Sequence, residues 1–162
     1  MLAWTMEYTD YYVAKGPAAD VAGKLKPIAS KALLMDGDEN FVPFVRMGDD
    51  TMLFRAFPWL LSVFDAEGGA WGFILRIDAE EIARATFGVN AEWGISRKMN
   101  GFEGELDAAA SALGTTASAL EACFNDEGVA DFCKLVGFEH AYMLYPHEAQ
   151  IPDGVNLLSD FG

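Results

Sequence analysis

The sequence predicts an α+β domain: an antiparallel β-meander of about five to seven strands, an N-terminal helix and a C-terminal cluster of three short helices. Three observations carry this expectation. Residues 41–77 run through consecutive segments rich in β-branched and aromatic side chains, interrupted by turn residues. Residues 17–35 place Val21, Leu25, Ile28 and Ala32 at helical spacing. Residues 102–136 are Ala-rich and punctuated by Gly114 and by Asn125-Asp126, which divides them into helices at about 103–112, 116–124 and 126–136. Strands come early and helices late, a grouping that favours α+β over an alternating β-α-β chain.

Taken in order, residues 8–14 form a β-rich strand. Pro17 suits the first turn of the helix that follows, and Pro27 either kinks that helix or marks the junction of two short ones near Gly23. Residues 36–40 are a loop. The segments FVPFVRM, TMLFRAF and WLLSVF are expected as strands, with Gly48-Asp49-Asp50 separating the first two. DAEGG makes a turn into the strand AWGFILRI. Asp78 reads as the N-cap of a helix, with Glu81 at its third position. A further strand fits 89–98, and a last one fits 140–145, ended by Pro146. The tail beyond residue 151 carries turn chemistry and little pattern. No repeat or linker composition divides the chain, so the expectation is one domain over 1–162, strand-rich to 98 and acidic and helix-rich from 99.

Composition narrows the function classes. The 162 residues include 25 Asp and Glu against 11 Lys and Arg, a formal net charge of −14, yet 52% are hydrophobic. Disordered chains of such charge lack the apolar residues to offset ordering entropy, so a packed core is expected here. Coating of nucleic acid is disfavoured, because phosphates need clustered Lys and Arg. The charge is uneven: from residue 99 onward Lys134 is the one base against eleven acids, a net −10. The N-terminal MLAWTMEYTD lacks signal-peptide regions, and the longest uncharged apolar run, residues 56–64, is far below the ~20 residues of a membrane helix. Two cysteines are too few for a disulfide framework, so a cytoplasmic location is expected.

Residues 107–125 resemble a helix-turn-helix, with Ala110, Gly114, Leu120 and Cys123 at the spacing such units use. The second helix has no base and carries Glu121, so it would repel phosphates, and DNA recognition by a transcription regulator is disfavoured. Cys123, Cys133, His140 and His147 are separated by nine, six and six residues, which matches no zinc pairing, and no metal or cofactor is expected. Asp36, Asp38 and Asn40 begin like a calcium loop, but Phe41 replaces the turn glycine and Met47 the bidentate Glu. Signatures for nucleotide binding and for a nucleophilic serine are absent from the sequence.

Two pieces, Phe41-Val-Pro-Phe44 followed by Gly48-Asp49 and Tyr142-Met-Leu-Tyr-Pro146, resemble strand signatures of bacterial toxin-immunity domains. They cover about 20 residues, without the Trp- and Gly-rich entry segment of those families, and the Ala-rich helices depart from the pattern. The resemblance does not assign the chain to such a family.

The leading expectation is a non-enzymatic acidic protein that engages a basic protein partner through its C-terminal helical face, as inhibitors, immunity proteins and mimics do. The candidate contacts are Glu103, Glu105, Asp107, Glu121, Asp126, Glu127 and Asp131, with Trp93 and Tyr142 as aromatic anchors. The alternative is a small-ligand binder or hydrolase-like enzyme. Its pocket would lie between the meander and the helices, lined by His140, His147, Asp49 or Asp50.

Overall fold

The computed structural model describes residues 8–27, 32–35, 41–46, 53–66, 69–92, 94–137 and 155–157. The chain is α+β, as its sequence implies. In order it forms β1 (Tyr8–Lys15), α1 (Ala18–Leu25), β2 (Ala32–Met35), β3 (Phe41–Arg46), α2 (Leu53–Ala56), β4 (Trp59–Ala66), β5 (Ala70–Ile77) and β6 (Glu80–Gly88). A 3-10 turn (Arg97–Met99) then leads to β7 (Gly101–Gly104), α3 (Leu106–Ala112), α4 (Ala117–Glu121), α5 (Val129–Leu135) and β8 (Val155–Leu157). All the strands join one antiparallel sheet in the order β7-β6-β5-β4-β1-β3-β2-β8. β4 to β7 form the meander, and β1 lies between β4 and β3.

Alternation along the strands divides the apolar residues between two cores. Val13, Leu61, Val63, Trp71, Phe73, Leu75, Ala83, Ala85 and Phe87 meet Ala109, Ala110, Leu113, Leu120, Phe132, Cys133 and Val136 of the C-terminal helices. On the other side, Tyr12, Ala14 and Leu60 meet Val21, Ala22 and Leu25 of α1, together with Leu34, Leu53 and Phe57. Small Ala83 and Ala85 on β6 leave room for aromatic rings from the helical layer, where Phe132 stacks on Phe73 at 4.5 Å. Phe124 stacks on Phe87 and Phe102, at 5.0 and 5.3 Å.

Trp71 locks this arrangement. Its ring touches Phe87 and Phe132, and its Nε1 donates to the Asn125 carbonyl at 2.8 Å, which ties β5 to the turn before α5. Gly128 closes that turn so tightly that a Cβ there would run into the Cys123 carbonyl. Gly72 likewise lies under the Phe64 ring, its cross-strand partner, which leaves no room for a side chain.

Four local expectations are corrected. The helix foreseen over 17–35 stops at Leu25, because Pro27 has no N–H to continue it, and residues 32–35 instead pair with β3 and β8. TMLFRAF does not form a strand. Residues 53–56 make one helical turn closed by Phe57 N–H donating to the Leu53 carbonyl, which buries Leu53 and Phe57 together one turn apart. Asp78 does not cap a helix: Asp78 and Ala79, both at positive φ (55° and 68°), form the tight turn of the β5–β6 hairpin. The strand foreseen over 89–98 reduces to a bridge between Asn90 and Ile95 and the 3-10 turn. The strand expected at 140–145 lies outside the described residues, whereas the tail contributes β8, which pattern alone did not reveal.

The three C-terminal helices do form. α3 ends in a Schellman motif, with Gly114 at φ +78°, Thr115 N–H donating to Ala110 O and Gly114 N–H to Ser111 O. Thr116 caps α4 by accepting from Ala119 N–H. The sheet and its turns give a paired test of stability. Ala79→Gly relieves a left-handed alanine and raises stability by about 1 kcal/mol, whereas Gly128→Ala lowers it by about 1–3 kcal/mol through overpacking, both read from urea denaturation midpoints.

Candidate functional site

The acids foreseen as a binding face are all exposed. Glu105 precedes α3, Asp107 lies in its first turn, Glu121 ends α4, Asp126 and Glu127 stand in the turn before α5, and Asp131 is in α5. Local backbone chemistry holds them outward. The Asn125 carbonyl is fixed by Trp71, and Asn125 Oδ1 accepts from Glu127 N–H at 3.0 Å, so the turn bearing Asp126 and Glu127 is anchored to the core from beneath. Asp126 receives Arg97 Nη1 at 2.9 Å, an exposed pair that joins the 3-10 turn to the helical layer. Among the described residues, Lys134 is the one base within α3–α5.

Glu103 is separated from this group. In β7, Phe102 turns toward the helices and stacks on Phe124, and the alternation sends Glu103 to the opposite face of the sheet, opposite Arg84 of β6. Among the described residues, α1 and α2 cover that face over β1, β2 and β4. Over β6 and β7 lies a groove of about 440 Å³ lined by Arg84, Thr86, residues 98–100 of the turn, and β7 as far as Glu103. Arg84 donates from Nη2 and Nε to the Glu81 carboxylate at 2.8 and 3.1 Å. This bond, reinforced by the charges of Arg84 and Arg76, holds Glu81 below the usual carboxylate range, while Glu81 and then Glu103 raise Arg84. Among the described residues, Asn100 Oδ1, shielded from solvent, has no hydrogen-bond partner.

The sequence reading missed Arg84, Thr86, Lys98 and Asn100. The signal is present in Ala83-Arg84-Ala85-Thr86-Phe87, where small or apolar and polar residues alternate with period two. Reading the preceding Asp78 as a helix cap hid it.

Burial pushes both thiols up, with Asp131 adding to the effect at Cys123 and Asp65 at Cys133, so neither is a ready nucleophile. Among the described residues no group of three His, Cys, Asp or Glu could hold a metal ion, and no helix is long and apolar enough to cross a membrane. Trp71, Phe73, Phe87, Phe124 and Phe132 fill the described part of the space between the meander and the helices. His140, His147, Asp49, Asp50, Trp93 and Tyr142 lie outside the described residues. Comparison with protein-family models, with curated proteins and with solved structures finds no match to this chain.

The Arg84–Glu81 pair sets a measurable pH effect. The folded pKa of Glu81 lies below its unfolded value, so the pair's contribution is present above the unfolded pKa and is lost as pH falls through the folded one. Both partners are more than a third exposed and screened by solvent. Glu81→Gln therefore lowers stability at pH 7 by less than about 1 kcal/mol. The gap from the parent protein closes in strong acid, as denaturation midpoints measured between neutral and acid pH will record.

Proposed function

We propose that this protein is a non-enzymatic binding protein that engages a basic protein partner through the outer face of α3–α5, in the manner of an inhibitor, immunity protein or mimic. The observation that carries the proposal is the exposure of Glu105, Asp107, Glu121, Asp126, Glu127 and Asp131 around a helical layer whose one base is Lys134. Exposed like charges on a rigid layer raise the local concentration of an oppositely charged partner and exclude acidic ones. The layer is rigid because its inner side is packed on the sheet through Phe124 and Phe132. α4 has five residues without a base, which counts against DNA as the partner. The cytoplasm is the proposed setting, from the two-cysteine content.

The test is kinetic. Association rates with a panel of basic proteins are measured for the parent protein and for a variant carrying Glu105→Gln, Asp107→Asn, Glu121→Gln and Asp131→Asn. The parent is expected to bind at least one panel member with a rate that falls about tenfold or more between roughly 0.01 and 0.15 M ionic strength, and the variant to lose that dependence. Binding that is indifferent to salt and to the four substitutions overturns the reading.

A further inference from the structure

On the opposite face of the sheet, we infer that the groove over β6 and β7 is a binding site for a small zwitterion of the amino-acid and dipeptide class. The inference is independent of the acidic face of α3–α5. Its basis is the charge set around the groove. Glu81 is already held by Arg84 through two hydrogen bonds and sits opposite Arg76 in the strand register. Among the described residues Lys98 and Glu103, the latter opposite Arg84 in the register, make no ion pair and no hydrogen bond, although both line the groove.

A simple anion placed there is drawn by Lys98 and Arg84 but opposed by Glu103, and a simple cation meets the reverse. A ligand with both signs satisfies both: its ammonium lies against Glu103 and its carboxylate against Lys98, with Arg84 behind. A neutral partner is at hand in Thr86, which lines the groove beside Arg84. Met99, 54% exposed at the rim, offers a flexible apolar contact for a side chain. The volume of about 440 Å³ lies within the range of small-molecule sites and far above the need of a single inorganic ion.

The experiment titrates the full chain, labelled with nitrogen-15, with the dipeptide leucyl-glycine, its N-acetylated form and its C-terminal amide. Expected are amide shift changes concentrated at residues 84–103 for the free dipeptide, and roughly tenfold or greater weakening with either end blocked. Lys98→Ala and Glu103→Gln, both at exposed positions that leave the core untouched, should weaken binding similarly, and Lys24→Ala on α1 should not. The inference is overturned if no shifts appear in 84–103 up to about 10 mM dipeptide. It is also overturned if the acetylated or amidated form binds as well as the free dipeptide, since the groove would then read a single charge.

Discussion

The hydrogen bond from Trp71 to the Asn125 carbonyl is the constraint on which the rest of the molecule depends. Trp71 is almost wholly buried, and a buried indole N–H needs an acceptor. The acceptor comes from a turn that is 54 residues away in sequence and free of regular structure. The bond therefore sets where the turn lies, and with it the start of α5 and the placement of Phe132 on Phe73. Gly128 permits the close approach that the bond demands. The acids Asp126 and Glu127 ride on this turn, so their outward orientation follows from a contact inside the core.

The same sheet serves two surfaces because β6 divides its residues by parity. Ala83, Ala85 and Phe87 complete the core beneath the helices, while Arg84 and Thr86 face the groove. A bulge between Leu75 and Arg76 of β5 and the facing Ile82 shifts the register, which brings Glu81 opposite Arg76 and beside Arg84. One face is then covered by helices and ringed with acids outside them. Among the described residues, the other is covered by α1 and α2 over β1, β2 and β4 and bears the groove lined by Arg84, Lys98 and Glu103.

Much of this architecture was legible in the sequence. The early strands, the late helices, the turn at Gly114 and the exposed acids all follow from local chemistry: alternation, Ala-rich helical composition, a glycine able to take positive φ, and carboxylates that are costly to bury. The buried positions of Ala110, Leu120 and Cys123 match the small-residue and core spacing read from the helix-turn-helix pattern, here as plain packing. Less legible were short elements whose stability is not their own. Residues 32–35 carry a helical spacing up to Ala32, yet they pair as a strand because β3 and β8 lie on either side. Residues 53–56 belong to a segment whose aromatic and apolar content reads as a strand, yet a single helical turn buries both Leu53 and Phe57.

The sequence by itself determined the class of the fold, the acidity of its last third and the three short helices that carry Asp107, Glu121 and Asp131. These are properties of composition and of neighbours three or four residues apart. Only the tertiary structure decided that Asp78 begins a hairpin, that Glu103 leaves the acidic face, and that Arg84, Lys98 and Glu103 surround one groove. The reason is strand register. Asp78 is as well suited to a turn as to a helix cap, and hydrogen bonds from β5 select between them. Once β6 is a strand, its pairing with β7 brings residues 84 and 103 side by side, a juxtaposition that no short-range pattern encodes.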